Sequence, residues 1–344
     1  MWFSYRRKLS HGLVCAKKVS FPALVNALQL IWSFFRSRLL KRPLISGFPW
    51  AISIEPSGLC NLQCPECPVG AGVLTRKGGM MDLQLFRKIV SDSGRQLAHI
   101  NLFFQGEPML NNHIARMISY AQANGIYTSM STNGHHLNET RCMELIGAGL
   151  TRIIISLDGI TCESYSTYRK GGNLNKVQNS IRTIVATRKK LGSITPFVTV
   201  QFLVFKHNEH EIPELIEWCR SEGVDKLELK TAQFNEFGQG LVQPPTNSAY
   251  SRYTLQPDGS LTIKGTMRNH CSRQWGTAVV AWDGRVAPCC YDKDLEFSPG
   301  DASKESIKAI WRNRNMDQFR HKVLNNRASI EMCRNCTEGR NILF

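Results

Sequence analysis

Short apolar runs alternate with longer segments of helical periodicity through the middle of the chain. The apolar runs predict six strands, at Ile52–Glu55, His99–Phe104, Ile126–Met130, Arg152–Leu157, Pro196–Phe205 and Lys226–Leu229. The intervening periodicity predicts helices that begin near Asp82 and span Asn111–Asn124, Asn138–Gly147, Asn175–Leu191 and Glu209–Ser221. Strands that alternate with helices in this way are typical of a parallel sheet. Six such units predict an α/β fold, a partial (β/α)6 barrel rather than a closed eightfold one.

Each of the first four predicted strands ends in a short polar or glycine-containing motif. The motifs are the cysteine-containing stretch 55–68, Gln105-Gly106-Glu107-Pro108, Ser131-Thr132-Asn133-Gly134 and Asp158-Gly159. Taken singly, such motifs are ordinary turns, because Asn, Asp and Gly favour turn conformations. The carboxyl ends of parallel strands, however, meet at the edge where α/β folds bind ligands. Four motifs at that edge predict a binding site.

Three cysteines, Cys60, Cys64 and Cys67, follow the first predicted strand with the spacing C-x-x-x-C-x-x-C. Three thiolates on one loop can hold three corners of a cubane iron–sulfur cluster and leave the fourth corner for another ligand. A tetrahedral zinc site would need a fourth protein ligand from elsewhere in the chain. The spacing alone leaves both interpretations open.

From Trp50 to Thr231, the cysteine spacing and the motifs after the following strands resemble those of the radical S-adenosylmethionine (SAM) enzymes. The resemblance implies a [4Fe–4S] cluster on the three cysteines, with SAM bound to its unique iron. It also implies a SAM-binding role for Gly106, Glu107, Pro108, Ser131, Asn133, Ser156, Asp158 and Arg169. Among these, Glu107 resembles the residue that meets the ammonium group of SAM, and Arg169 the one that pairs with its carboxylate. Two positions depart from the family pattern: Glu66 replaces the usual aromatic residue, and Gln105 the usual glycine.

The activity implied by this resemblance is reductive cleavage of SAM to methionine and a 5′-deoxyadenosyl radical, which abstracts hydrogen from a substrate. The resemblance also implies an electron donor such as flavodoxin or ferredoxin. The sequence identifies no general base. Glu228 and Lys230, near the end of the sixth strand, are candidates, although an ordinary surface ion pair is the simpler interpretation.

Five further cysteines lie downstream, at Cys271, Cys289, Cys290, Cys333 and Cys336. Their layout resembles the SPASM/twitch extension of radical SAM enzymes. The resemblance implies one auxiliary [4Fe–4S] cluster on Cys271, Cys289, Cys333 and Cys336, which would relay electrons in a net oxidation or a bond formation. Neighbouring Cys290 faces the other way if this segment is a strand. A structural zinc site of four cysteines fits the same spacing.

Between these cysteines the pattern predicts a hairpin, Trp275–Ala281 and Arg285–Pro288 around an Asp-Gly turn, and a helix over about Lys304–Leu324. We therefore expect three regions. Residues 1–49 form a basic amphipathic helical extension, 50–235 the radical SAM core, and 236–344 a small α+β cluster-binding domain.

The formal net charge of +16 is concentrated at the amino terminus, where the first fifty residues carry nine Lys or Arg and no Asp or Glu. Residues 19–42 have helical periodicity, with Ser20, Asn26, Gln29 and Ser33 on one side and Leu24, Leu28, Ile31, Trp32, Phe35 and Leu39 on the other. The run is shorter and more polar than a membrane-spanning helix. It predicts either peripheral membrane contact or docking of the apolar stripe on the barrel.

Twelve cysteines grouped mostly in short clips favour metal or cluster ligation in a reducing cytoplasm, with or without peripheral contact at the inner membrane face. We expect a small-molecule or peptide substrate and no nucleic-acid partner. Because residues 1–49 are too short and helical for a peptide-recognition module, they favour a small-molecule or lipid-linked substrate. The competing hypothesis is a non-catalytic zinc or iron–sulfur protein that acts through its basic amino terminus. This hypothesis gives no common function to Glu107, Asn133, Asp158 and Arg169.

Overall fold

The computed structural model describes residues 1–340, so residues 341–344 of the predicted C-terminal region lie outside the described part. All six predicted strands are present: β1 Ala51–Ile54, β2 His99–Leu102, β3 Tyr127–Thr132, β4 Arg152–Ser156, β5 Phe197–Val204 and β6 Lys226–Thr231. Each strand pairs in parallel with the next strand of the chain. The predicted α/β fold with a partial barrel of parallel strands is confirmed.

Helices connect and flank these strands, and most lie where periodicity predicts them. Their bounds are α1 Tyr5–Lys18, α2 Phe21–Leu40, α3 Leu83–Ser93, α4 Ile114–Ala123, α5 Glu139–Gly147, α6 Cys162–Tyr168, α7 Leu174–Lys190, α8 Ile212–Ser221, α9 Arg273–Gly276, α10 Ile307–Trp311, α11 Arg314–Asn325 and α12 Glu331–Arg334. Asp82 and Asn138 cap α3 and α5, because their side chains accept hydrogen bonds from backbone N–H groups of the first turn. Helix α6 was not predicted, since its seven residues are too few to show a period.

The C-terminal region extends the barrel sheet. Beyond a separate hairpin of β7 Tyr253–Leu255 and β8 Leu261–Ile263, three strands join it: β9 Thr277–Val280, β10 Arg285–Ala287 and β11 Gly300–Asp301. Strand β9 runs parallel to β1, so the order is β11-β10-β9-β1-β2-β3-β4-β5-β6. Strands β9 and β10 form the predicted hairpin. Continuous backbone hydrogen bonding therefore ties the cysteine-rich C-terminal region to the barrel.

Two boundaries in this region differ from the prediction. Trp275 belongs to α9 rather than to the following strand, which begins at Thr277. The helix predicted over Lys304–Leu324 is two helices, α10 and α11. The Asn313 side chain accepts a hydrogen bond from the Met316 N–H and so starts a new helix after α10 has ended.

Strand β4 shows how the barrel wall divides the interior from the helical layer. Ile153 and Ile155 are fully buried in the main hydrophobic core beneath the helices. Arg152, Ile154 and Ser156 alternate with them and face the barrel interior, since successive side chains of a strand point to opposite sides. Apolar residues on the outer face of the strand therefore hold the helices on the barrel.

The two amino-terminal helices cover the end of the barrel at which the strands begin. In α1, Arg7 forms an ion pair with Asp225 just before β6, and His11 lies 2.8 Å from the hydroxyl of Tyr127, the first residue of β3. Ser20, the N-cap residue of α2, donates to the Arg95 carbonyl oxygen just before β2. The predicted ligand edge is at the opposite end, where the strands finish.

Helix α2 packs with its polar side inward, so the expectation that its apolar stripe would dock on the barrel is wrong. Asn26 donates to the Phe48 carbonyl oxygen at 2.8 Å and accepts from the Phe48 N–H at 2.7 Å. Ser37 accepts from the Leu44 N–H at 2.9 Å and from the Trp275 indole N–H at 3.2 Å. The polar residues are buried because they satisfy backbone groups of the segment that leads into β1.

Candidate functional site

The cysteine loop leaves the carboxyl end of β1 and packs against the ends of neighbouring strands. Cys60, Cys64 and Cys67 share one hydrophobic cluster with Tyr168 and Phe205. All three are free thiols, and Cys64 is buried. Burial raises the pKa of Cys64 to about 11, although the Arg169 guanidinium opposes the shift. The loop thus presents one buried and two partly buried thiols against an apolar cluster.

Polar groups point at two of these sulfurs. The Leu62 N–H donates to Cys60 Sγ at 3.4 Å, and the Arg169 guanidinium lies 3.7 Å from Cys64 Sγ. Donors of this kind stabilise thiolate over thiol, which is the form that ligates iron. The residues present therefore fit the three-cysteine [4Fe–4S] site.

Glu107 is buried at the carboxyl end of β2 and is held by three donors. The Thr132 hydroxyl and the Met109 N–H donate to Oε1 at 2.6 and 3.0 Å, and the Asn133 N–H donates to Oε2 at 2.7 Å. Burial raises the pKa of Glu107, and these hydrogen bonds oppose the shift. The carboxylate therefore has a fixed orientation between β2 and β3.

Gly106 allows Glu107 to come close to the cysteine loop. Its φ of +70° is unfavourable for other residues, and a Cβ atom there would lie 2.3 Å from the Ser57 carbonyl oxygen. The Glu107 N–H donates to the Leu59 carbonyl oxygen at 2.7 Å. Pro108 follows and begins a short 3-10 turn. The Gly-Glu-Pro motif is thus joined directly to the loop that carries Cys60.

Asn133 joins the third strand to the same loop. Its side-chain amide donates to Asn61 Oδ1 at 2.8 Å and lies 3.9 Å from Cys60 Sγ. His135 supports it, because the His135 N–H donates to Asn133 Oδ1 and the His135 ring accepts from the Asn173 N–H. The sequence analysis missed Asn61 and His135, since neither stands at a motif position of the resembled family.

Asp158 and Arg169 form a buried ion pair beside the cysteine loop. The Arg169 Nε donates to Asp158 Oδ2 at 2.5 Å, and the Leu203 N–H donates to Oδ1 at 2.6 Å. Asp158 is fully buried, so both of its oxygens serve the protein itself. The structure thus places Asp158 behind Arg169, whose guanidinium also reaches Cys64.

Ser131 and Ser156 occupy the ends of adjacent strands. Ser131 is half-buried near the end of β3, and Ser156 is buried at the end of β4 opposite Gln201 of β5. Both lie at the same edge as Asn133. All eight residues predicted to bind SAM therefore come from one end of the barrel, and their individual roles stay predictions.

Glu66, the departure from the family pattern, connects the cysteine loop to the segment after β6. Its Oε2 accepts from the Asn235 N–H at 2.8 Å. A Cβ atom on Gly238 would lie 2.0 Å from Glu66 Oε1, so a larger residue there would require the Glu66 side chain to move. Burial raises the pKa of Glu66, and the bonds from Asn235 oppose the shift.

A cavity of about 1900 Å³ opens at this end of the molecule. Its wall includes Cys67 and Glu66 from the cysteine loop, Gln201 and Leu203 from β5, and the β7–β8 hairpin. Pockets for small ligands are usually about 300–1,000 Å³. The cavity is therefore large enough to hold SAM and a substrate together.

Cys271, Cys289, Cys333 and Cys336 come together in the C-terminal region. The four line one small enclosed cavity, which Cys290 does not line. Cys290 packs instead in a separate cluster with Val279 and Leu295. Four thiols around one cavity fit the chemistry of an auxiliary cluster. Across residues 1–340, no three Cys, His, Asp or Glu side chains are grouped so as to hold a single metal ion.

Glu228 is not the ordinary surface residue that the sequence favoured. It lies in the barrel interior of β6, 2.8 Å from Arg152 and 3.5 Å from Lys230, and it is also bonded to Lys226. Burial would raise the pKa of Glu228, but the bond from Lys226 and the nearby cations overcome this and lower the pKa to about 2. A carboxylate so stabilised is a weak base, so we exclude it as the general base.

Glu55, another residue that the sequence analysis missed, ties the barrel to the C-terminal region. It forms a fully buried bidentate pair with Arg76, at 2.6 and 2.9 Å. The Trp282 N–H, at the turn between β9 and β10, also donates to Glu55. In the sequence, only the position of Glu55 directly after β1 indicated that this residue belongs to the site.

Two family models match the chain in the regions just described. The radical SAM superfamily model matches residues 54–219, and the SPASM iron–sulfur cluster-binding domain matches residues 271–337. The chain therefore contains a radical SAM domain followed by a SPASM domain. The predicted [4Fe–4S] cluster, SAM and auxiliary iron–sulfur site are confirmed at this level.

Proteins of known function are similar in sequence to most of this chain. PqqA peptide cyclase of Bradyrhizobium diazoefficiens is 28% identical over 295 residues, which cover 78% of this chain and 74% of that protein. The tungsten-containing aldehyde ferredoxin oxidoreductase cofactor-modifying protein of Pyrococcus furiosus is 26% identical over 298 residues, which cover 78% and 82%.

Solved structures share the fold. BtrN in complex with AdoMet and 2-DOIA has a TM-score of 0.55 at 19% identity and covers 86% of this chain and 95% of that one. Streptococcus suis SuiB bound to S-adenosylmethionine has a TM-score of 0.63 at 13% identity and covers 87% and 74%.

Proposed function

We propose that this protein abstracts hydrogen from a peptide substrate by radical SAM chemistry. The observation that carries the substrate class is the size of the cavity, about 1900 Å³ beside Cys67. Even with SAM bound beside the cysteine loop, a cavity of this size has room for a peptide segment. The likeness to a peptide cyclase supports the same choice. The expectation of a small-molecule or lipid-linked substrate is therefore set aside.

In this proposal, Cys60, Cys64 and Cys67 hold the cluster. When bound and reduced, it supplies the electron that cleaves SAM to methionine and a 5′-deoxyadenosyl radical. Glu107, with its fixed carboxylate, accepts the ammonium group of SAM. Arg169, which Asp158 positions 3.7 Å from Cys64 Sγ, would pair with the carboxylate of SAM. Apolar packing of Tyr168 and Phe205 against the loop shields the buried Cys64 from water.

The C-terminal region would accept one electron from the substrate radical that hydrogen abstraction leaves, while the substrate releases one proton to solvent. Cys271, Cys289, Cys333 and Cys336 hold the auxiliary cluster, which when bound supplies an electron acceptor. The cavity is walled by both the cysteine loop and Tyr291, which also borders the auxiliary cysteines. A substrate in the cavity would thus lie between the two clusters. A flavodoxin or ferredoxin supplies the first electron.

Anaerobic reconstitution tests the chemistry. We expect about eight iron and eight sulfide per chain, as two cubanes require, and 5′-deoxyadenosine when dithionite and SAM are added. Cys64→Ala should abolish nucleoside formation, while Cys142→Ala, a buried thiol on α5, should leave it unchanged. Bound zinc without sulfide would contradict the proposal.

Glu107→Gln tests the SAM-binding arrangement. The glutamine amide has one acceptor oxygen, whereas the Glu107 carboxylate accepts three hydrogen bonds with two oxygens. The amide also has no negative charge to attract the ammonium group of SAM. We expect nucleoside formation to fall at least about tenfold with iron content unchanged. The exposed Glu144→Gln serves as control. Unaltered activity in Glu107→Gln would contradict the assigned role.

Isotope transfer tests the substrate class. The holoenzyme is incubated with SAM and either deuterated peptides or deuterated metabolites of low mass, both prepared from cells grown in deuterated medium. We expect deuterium in 5′-deoxyadenosine only with the peptide fraction. Transfer only from the low-mass fraction would overturn the peptide assignment and leave the radical chemistry intact.

A further inference from the structure

Helix α2 presents a continuous apolar stripe to solvent. Its exposed members include Phe35 at 62%, Trp32 at 63% and Leu39 at 82% exposure. The full stripe, which we call the α2 outer face, is Phe21, Leu24, Leu28, Ile31, Trp32, Phe35 and Leu39. Isolated exposed apolar residues are ordinary, but a continuous stripe of this size marks an interaction surface.

Hydrogen bonds on the inner side of α2 determine which side of the helix faces solvent. Asn26 is 1% exposed and Ser37 fully buried, and both make hydrogen bonds to the segment before β1. Rotating the helix to bury the apolar stripe would break these bonds and expose Leu30, which is buried. The outer face therefore has no partner within residues 1–340.

Positive charge borders the α2 outer face. At about 100° per residue, Arg36 and Arg38 fall on opposite sides of Phe35, and both are exposed. Lys41 and Arg42 follow the helix, and Lys17 precedes it on α1, all of them exposed. Since the first fifty residues contain no Asp or Glu, nothing acidic in this segment offsets the charge.

The helix pair suits a surface rather than a membrane crossing. No single helix within residues 1–340 is long and apolar enough to cross a bilayer. Helices α1 and α2 pass that test only together, and the chain bends by 92° between them. Contacts with Asp225 and Phe48 moreover hold both helices on the barrel.

We propose that the α2 outer face docks on a bilayer of anionic phospholipid, with its apolar stripe in the interface and its basic border against the headgroups. Charge complementarity selects this occupant over a second copy of the chain, because two identical basic faces repel each other. The helices cover the end of the barrel where the strands begin. Docking therefore turns the cavity beside Cys67 away from the membrane, toward water.

Vesicle flotation of the full reconstituted protein tests the docking. We expect it to float with vesicles of phosphatidylcholine and phosphatidylglycerol, and to float weakly with phosphatidylcholine alone. Leu28→Ser/Trp32→Ser should reduce partitioning at least about tenfold. Arg36→Gln/Arg38→Gln should reduce binding to anionic vesicles by about fivefold per charge.

Met143→Ser is the matched control, because Met143 is an exposed apolar residue on a helix of the barrel wall. It should float as the wild type does. All these positions are exposed, so the variants should keep the fold and cluster content. Equal flotation of Leu28→Ser/Trp32→Ser and wild type would overturn the proposal. The proposal would also be overturned if the wild type did not float but formed concentration-dependent dimers that Leu28→Ser/Trp32→Ser abolishes. That result would make the α2 outer face a dimer interface.

Quenching of tryptophan fluorescence by brominated acyl chains tests which face is buried. We expect quenching of the wild type in anionic vesicles and its loss in Trp32→Phe, which keeps the apolar character of the position. The fully packed Trp275 and Trp311 should contribute none. Quenching that persists in Trp32→Phe would place another surface in the bilayer and contradict the assignment.

Discussion

At the scale of single residues, the site depends on backbone positions that only certain side chains tolerate. Gly106 and Gly125 show the distinction, because both have a positive φ, of +70° and +74°. A Cβ on Gly106 would meet the Ser57 carbonyl oxygen at 2.3 Å, whereas nothing lies within 4 Å of one on Gly125. The left-handed backbone alone accounts for the glycine at position 125. At position 106, glycine is required also because two loops approach each other closely.

This pair gives the first prediction. We expect Gly125→Ala to lower the free energy of unfolding by about 1 kcal/mol, the usual cost of a left-handed conformation for alanine. Gly106→Ala should cost at least twice that, since the Gly-Glu-Pro motif must move away from the cysteine loop. Urea unfolding of both variants measures the difference, and SAM binding should weaken only in Gly106→Ala. Equal losses would show that the contact with Ser57 is not constraining.

The thiols of the cysteine loop predict a dependence of cluster assembly on pH. Burial raises the pKa of Cys64 to about 11, so the thiol is protonated at neutral pH before iron binds. Ligation requires the thiolate and releases a proton, so higher pH favours it. We expect iron incorporation during reconstitution to rise from pH 7 to pH 9, measured as iron and sulfide per chain. Incorporation that is constant with pH would contradict the protonated starting state.

At the scale of elements, α2 shows that an amphipathic pattern fixes two faces but not which of them is buried. Its polar residues are inside because the backbone of residues 44–48 lies against them and needs hydrogen-bond partners. Asn26 meets both the N–H and the carbonyl oxygen of Phe48. Without Asn26, both of these buried backbone groups would lose their partner, and each would cost about 1–3 kcal/mol.

Substitutions of α2 test this balance. Asn26→Ala should lower the free energy of unfolding by about 2–3 kcal/mol, because two buried backbone groups lose their partner. Gln29→Ala, at an exposed position of the same helix, should change it by less than about 0.5 kcal/mol. Chemical denaturation of the two variants provides the measurement. A small effect of Asn26→Ala would mean that water replaces the amide.

At the scale of the whole molecule, the barrel has two ends with different tasks. The carboxyl ends of the strands carry the cysteine loop, Glu107, Asn133 and the Asp158–Arg169 pair. The amino ends are closed by α1 and α2. Strand β9 pairs with β1, and the buried Glu55–Arg76 pair reinforces that join.

The join gives the last prediction. Glu55→Gln should lower the free energy of unfolding by about 3–5 kcal/mol, because it leaves the buried Arg76 guanidinium without its counter-charge. The exposed pair of Glu217 and Arg220 provides the control, and Glu217→Gln should cost less than about 1 kcal/mol. Unfolding of the reconstituted protein measures both. Similar effects of the two substitutions would show that the Glu55–Arg76 pair does not hold the C-terminal region on the barrel.

The sequence by itself determined the six strands of the barrel, though not the C-terminal strands that join the same sheet, and it determined the ligand edge and the cysteine sets, because these depend on local periodicity and on spacing within short segments. It did not determine the direction in which α2 faces, the break before α11, the environment of Glu228 or the partners of Glu55. Each of those depends on groups far apart in the chain, such as Phe48, Arg152 and Trp282. Only the tertiary structure decided them, since burial and hydrogen-bond satisfaction are settled by neighbours in space.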